Sequence, residues 1–278
     1  MFRIKKYLLS KEFLISIIVM IGVIFINMND KLRVGYAFSK FGDCFSYWNS
    51  MLYNGYGEYL ETFLTILLLF ASLKDAYNTL NGTLKSHLIR EKKDKFLIKE
   101  FLSTSIKAYI PLFIVSAGLF IYASIKYPHY VSTEKGYELF YMKGLVQNAY
   151  FYVFLTFIMN YIFVCAIVNI GYFFMYITKK LYVSIISSYI FFILFDFSLQ
   201  WLFGALASIL NVEWFSTFVE REFNLIYGYD PTSNVFFSLC ITVVFLLITI
   251  IPVYVLYRDK EKLVLNFDEK WDYKILFF

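Results

Sequence analysis

The fold class predicted by this sequence is an all-α integral membrane protein of six transmembrane helices, with N-terminus and C-terminus cytoplasmic. Three observations carry that expectation. Six apolar runs, about residues 13–28, 59–77, 106–125, 149–177, 181–210 and 235–257, are near or above the roughly 20 residues that carry a helix across a bilayer core. Hydrophobic residues make up 60% of the 278 and charged residues 17%, below the roughly 25% charged of soluble domains. With the N-terminus placed inside, nineteen of the 26 Lys and Arg fall on inner segments, as the positive-inside rule requires. Lipid offers backbone groups no hydrogen bonds, so each run reads as a helix that satisfies its own. The whole chain, 1–278, is then one transmembrane domain. Residues 1–12 form a cytoplasmic or interfacial segment and residues 258–278 a cytoplasmic tail.

The first run follows Arg3, Lys5, Lys6 and Lys11, but no small-residue cleavage site comes after it, so it is retained as a helix. Residues 1–11 mix Phe2, Ile4, Leu8 and Leu9 with these cations. They suit either a segment lying in the head-group layer or a basic tail that sets topology. The outer loop 29–58 is rich in aromatics: Tyr36, Tyr47, Trp48, Tyr53 and Tyr56 read as interface anchors or as a surface that meets substrate. The third run has Pro111 near its beginning, where a missing N–H does least harm. Runs four and five are separated only by Thr178-Lys179-Lys180 and must form an antiparallel hairpin. Before the sixth run, residues 211–233 suggest a short half-buried helix at the outer surface.

Charge inside the apolar runs is scarce. Asp196 sits at the centre of the fifth, where a carboxylate costs roughly 2.5–3.5 kcal/mol on the insertion scale and therefore faces protein or water. Gln200, Gly204 and Ser208 follow at steps of four, and Asn160 and Asn169 of the fourth run lie at comparable depth. An intramembrane polar seam of Asn160, Asn169, Asp196, Gln200 and Ser208 is the expectation, either lining a path or holding helices together.

No phosphate-binding GxxxxGK[ST] loop, HExxH or GxSxG occurs, so the chain is not expected to be an enzyme or to bind ATP by itself. Cys44, Cys165 and Cys240 show neither disulfide framework nor metal spacing, so no metal site and no directly bound cofactor is expected. Nucleic acid is not an expected partner either.

The largest inner loop, about 78–107, interleaves Arg90, Glu91, Lys92, Lys93 and Asp94 with Phe96, Leu97, Ile98, Phe101 and Leu102. It reads as a short helix packed on a partner or as a solvated basic loop, with Ser103-Thr104-Ser105 as a break and cap before the third run. Gly82-Thr83-Leu84, Arg90 and the run from Lys95 to Lys107 resemble the passage into the third span of ABC exporter permeases of the second exporter class. The six-run architecture resembles that family along the whole chain. The family's proline-containing turn is missing, since no proline lies between Asp75 and Ile110.

The resemblance implies a small bacterial permease subunit in the cell (plasma) membrane, multi-pass. It would move a peptide, lipid-like or other amphipathic substrate outward, or confer peptide immunity. Its partners would be a cytoplasmic ABC ATPase subunit, which binds ATP and Mg, a second permease copy or sister permease, and the lipid bilayer. Arg90, Glu91, Lys92, Lys93, Phe96, Leu97 and Phe101 would form the ATPase coupling loop. The competing readings are an ion- or proton-coupled carrier using Asp196 and a membrane-embedded enzyme or scaffold.

Overall fold

The computed structural model describes residues 7–33, 44–53, 57–82, 92–129, 149–210 and 235–258, and these are all-helical. Seven helices occur among them: α1 Lys11–Arg33, α2 Cys44–Tyr53, α3 Gly57–Gly82, α4 Lys93–Lys126, α5 Ala149–Thr178, α6 Leu181–Leu210 and α7 Val235–Tyr257. Each of the six apolar runs lies within one of the long helices. Two stretches, Lys93–Lys126 and Val153–Thr178, are long and apolar enough to cross a membrane, with 39% and 61% of their most apolar part buried inside the protein. That difference makes α5 the central helix. It packs against α3, α4, α6 and α7, whereas α1 lies against α2, α3 and α4.

The α3–α5 crossing is close because Gly171 has no side chain. A Cβ there would come within 2.8 Å of Leu73 Cδ1 and 3.0 Å of Leu69 Cδ2. At the edge, Ser10 accepts a hydrogen bond from Phe13 N at 3.3 Å and so caps the start of α1. Ser16 donates to the carbonyl of Leu67 at 3.0 Å, joining α1 to α3.

The α5–α6 hairpin turns where its spacing predicted. Lys179 adopts a left-handed φ of 55°, a conformation that favours glycine. The turn is held from several sides. Lys179 N donates to Met175 O at 3.1 Å, Ser184 Oγ donates to Lys180 O at 2.7 Å, and Tyr77 donates to Lys179 O at 3.2 Å.

Two expectations are corrected. First, α4 starts at Lys93 and runs for 34 residues without interruption at Ser103-Thr104-Ser105. All three residues are buried, and Thr104 turns its hydroxyl back on Glu100 O at 2.9 Å instead of capping a new helix. Pro111 therefore sits in a helix interior, where its ring leaves the carbonyl of Lys107 without a donor. The hydroxyl of Tyr7 supplies the missing bond. Tyr7 is only 4% exposed, so this part of the N-terminal segment docks on α4. Second, part of the segment expected as the first outer loop forms α2, and its Phe45, Tyr47 and Trp48 are buried inside the protein. Trp48 is fully buried and donates from Nε1 to Ser116 O at 3.0 Å, while Tyr47 stacks on Tyr127 at 4.5 Å between centroids. Tyr36, Tyr56 and residues 211–233 lie outside the described residues.

Candidate functional site

The bundle has two unlike ends. One carries the lysines at 74, 93, 107, 179 and 180, and is called here the basic end. The other is closed by α2 and is called the aromatic end.

At the basic end, short polar ties join neighbouring helices. Lys74 pairs with Glu12 between α3 and α1, and Lys107 reaches Asp75 Oδ2 at 2.6 Å between α4 and α3. The Lys74 ammonium holds the Glu12 carboxyl below its ordinary range. Burial pushes the Tyr7 hydroxyl well up, and the nearby Asp75 carboxylate adds to the shift. Tyr7 thus stays protonated and able to donate to Lys107.

The start of α4 is the most elaborate part of this end. Asp94 lies in its first turn, where a carboxylate complements the helix dipole. Lys93 donates to the carbonyl of Arg258 at the end of α7. About two turns on, Phe101 packs 4.1 Å from Tyr172 and 6.0 Å from Tyr257, measured between ring centroids. Tyr257 donates to the carbonyl of Tyr172 at 3.1 Å. The hydroxyls of Thr104 and Tyr172 lie 2.9 Å apart. Because Thr104 already donates to Glu100, Tyr172 is the donor in that pair. Three helices thereby meet in one aromatic clamp.

Beside the clamp, a groove of about 550 Å³ opens between α4 and α7. Its walls include Ile98 and Leu102 of α4 with Ile250 and Tyr254 of α7, and Cys165 and Asn169 of α5 also line it. Lys93, Asp94 and Arg258 contribute the charges of its lining.

The residues expected to form the coupling loop separate into three groups. Arg90 and Glu91 lie outside the described residues. Lys92 is the residue before α4, and Lys93 is tied to α7. Phe96 and Leu97 are 3% and 9% exposed, packed into the chain's own core, and Phe101 belongs to the clamp. The apolar side chains that α4 does leave open in this stretch are Ile98 at 60% and Leu102 at 49%.

The polar seam separates too. Asn160 and Asn169 are nine residues apart, half a turn out of phase on a helix of 3.6 residues per turn, so no single face holds both. Both are buried. Asn169 donates to Thr249 Oγ1 of α7 at 3.4 Å, so it faces α7. Ser208 is exposed on α6. Asp196 and Gln200 lie on α6, but their side chains are outside the described residues.

Sequence reading missed Tyr172 and Tyr257. A hydroxyl on an apolar helix is the available signal, and with 25 tyrosines in the chain it singles out nothing. It also missed the role of His129. At the aromatic end, His129 Nε2 lies 3.0 Å from Ser124 O and must carry its proton there. Nδ1 lies 2.8 Å from Tyr150 OH and 3.9 Å from Cys44 Sγ. Cys44 is fully buried, so the arrangement joins α2, α4 and α5 without offering a substrate an accessible thiol. Among the described residues, no group of three or more His, Cys, Asp and Glu side chains is placed to hold a metal ion. No protein-family model, curated protein or solved structure matches this chain.

Proposed function

We propose that this chain is the transmembrane permease subunit of an ATP-driven exporter. Six helices cross the membrane, the basic end faces the cytoplasm, and separate ATPase subunits act on that end. The observation that carries the reading is α4. It runs unbroken from the lysine-rich segment at the basic end to Trp48 at the aromatic end, so it can transmit a push along its length. A rigid element of this kind is what coupling to a conformational switch needs. The outward faces support the membrane part of the reading. Ile18, Ile21 and Phe25 of α1, Ile186, Ile190 and Leu194 of α6, and Ile251 and Val255 of α7 are all exposed. Contiguous apolar surface on this scale is rare in soluble monomers.

The burial of Phe96 moves the expected ATPase contact from the predicted apolar anchors to the exposed residues of the same helix turns. The test is mild-detergent purification of the native complex, with every copurifying chain identified. An ATPase should copurify, and Lys92→Glu with Lys95→Glu should weaken its retention more at low salt than at high salt, because exposed charges are screened over about 10 Å at 0.1 M. Phe96→Ala should instead lower folded yield, by about 3–5 kcal/mol of stability. A chain that copurifies without an ATPase, and transports under an ion gradient only while Asp196 is intact, would establish the carrier reading instead.

A further inference from the structure

Resting on the membrane reading above, we propose that the groove between α4 and α7 binds the acyl chain of an anionic phospholipid, with the head group at Lys93 and Arg258. At about 550 Å³ the groove lies within the roughly 300–1,000 Å³ of small-molecule sites. Its walls call for hydrocarbon: Ile98, Leu102, Ile250 and Tyr254 present exposed apolar surface from two helices. The Asn169 amide that reaches it already donates to Thr249.

Its charged rim calls for an anion. Lys93 and Arg258 stand at the ends of α4 and α7, with Asp94 the one carboxylate among the lining residues. Asp94 lies 3.6 Å from Lys93 with an 81% exposed side chain, a geometry in which an ion pair is worth little. In a bilayer this end of the two helices lies at head-group depth, where an exposed tyrosine such as Tyr254 settles. Cations therefore sit where a phosphate would be, and an apolar channel leads away from them toward the bilayer centre. The two helices meet through Lys93–Arg258 and Phe101–Tyr257, so a lipid in the groove would brace the pair beside the clamp.

The test uses the full chain reconstituted in phosphatidylcholine vesicles containing phosphatidylglycerol. A trace of one lipid or the other carries a photoactivatable diazirine midway along an acyl chain, and labelled peptides are mapped by mass spectrometry. The expected result is labelling around Ile98–Ser105 and Leu246–Tyr254, about five-fold stronger with the phosphatidylglycerol probe. Lys93→Glu with Arg258→Glu should abolish that preference. Ile98→Trp with Ile250→Trp should fill the groove and remove its labelling, while the face of α6 around Ile186 is labelled as before. If the Trp variant aggregates, Ile98→Cys carrying a bulky maleimide makes the same test on folded protein.

Equal labelling of the groove and the α6 face by both probes would mean boundary lipid only and overturn the proposal. Protection by oleate but not by unlabelled phosphatidylglycerol would overturn it as well. Alkaline extraction separates the two ways of failing. A chain retained in alkali-washed vesicles with an unlabelled groove loses the lipid site alone, whereas a chain released by alkali loses the membrane reading too.

Discussion

The two ends of the bundle are held by different physics. At the aromatic end, Trp48, Phe45 and Tyr47 of α2 pack against Phe120, Tyr127, Phe157 and Tyr150, with ring centroids 4.5–5.9 Å apart. Such interlocking has one good arrangement, and sliding a helix loses it. At the basic end the Phe101–Tyr172–Tyr257 clamp ties α4 to α5 and α7, but the remaining ties are single hydrogen bonds and ion pairs open to water: Glu12–Lys74, Asp75–Lys107, Tyr77–Lys179 and Lys93–Arg258. Each contributes modestly and can be exchanged for water or for another partner. The comparison teaches that α4 should pivot on the aromatic end and carry α5 and α7 with it through the clamp, while the basic end opens along the exchangeable ties to α3.

The largest expected effect comes from breaking the pivot. Trp48→Ala should lower stability by about 3–5 kcal/mol, combining lost aromatic burial with the lost bond to Ser116. Thermal unfolding in detergent, followed by tryptophan fluorescence or light scattering, would measure it. A loss below about 1 kcal/mol would mean that the two ends do not differ in this way. A smaller effect is expected inside the clamp. Tyr172→Phe keeps the ring against Phe101 and removes only the hydroxyl that donates to Thr104, so it should cost about 0.5–1.5 kcal/mol. In a double-mutant cycle, Thr104→Val should account for most of that loss, because the two residues share the bond.

The smallest effect sharpens the comparison through pH. The Glu12 carboxyl is held below its ordinary 4.5 by Lys74, so the folded state favours the ionised form. The stability this contributes is present in full above the unfolded value. It is lost as pH falls through the lower, folded value. Glu12→Gln should therefore lower the melting temperature slightly at pH 7, and the difference should shrink as the pH falls below 4.5. Raising the salt at pH 7 should shrink the difference, and no matching pH dependence should appear for Trp48→Ala.

Helix positions were largely legible in the sequence, because long apolar runs leave few other options. The boundaries failed where side chains act against their usual bias. Ser103-Thr104-Ser105 resembles a helix start, yet it lies within a helix already under way, with the Thr104 hydroxyl turned back on Glu100. In Lys93–Leu102 the apolar residues serve two surfaces, Phe96 and Leu97 toward the core and Ile98 and Leu102 outward, so no single stripe appears. For α2, aromatic side chains suit a lipid interface and a protein interior equally well, and composition cannot separate the two. The phase of Asn160 and Asn169 was readable, since nine residues put them on opposite faces. What no pattern could reveal was that Asn169 would choose Thr249, which is 80 positions away.

The bond between Tyr7 and the Lys107 carbonyl also bears on the order of assembly. Pro111 leaves a gap in the ladder of α4, and the group that closes it lies 100 residues earlier in the chain. During synthesis Tyr7 is available long before the carbonyl it serves, so α4 completes its backbone pairing only by returning to a segment made 100 residues earlier. Pairing of this kind couples the entry of α4 to an N-terminal segment already in place. A bulky fusion close to residue 7 would then act on the interior of a helix made much later, and its harm would show as late-stage misassembly instead of failed targeting.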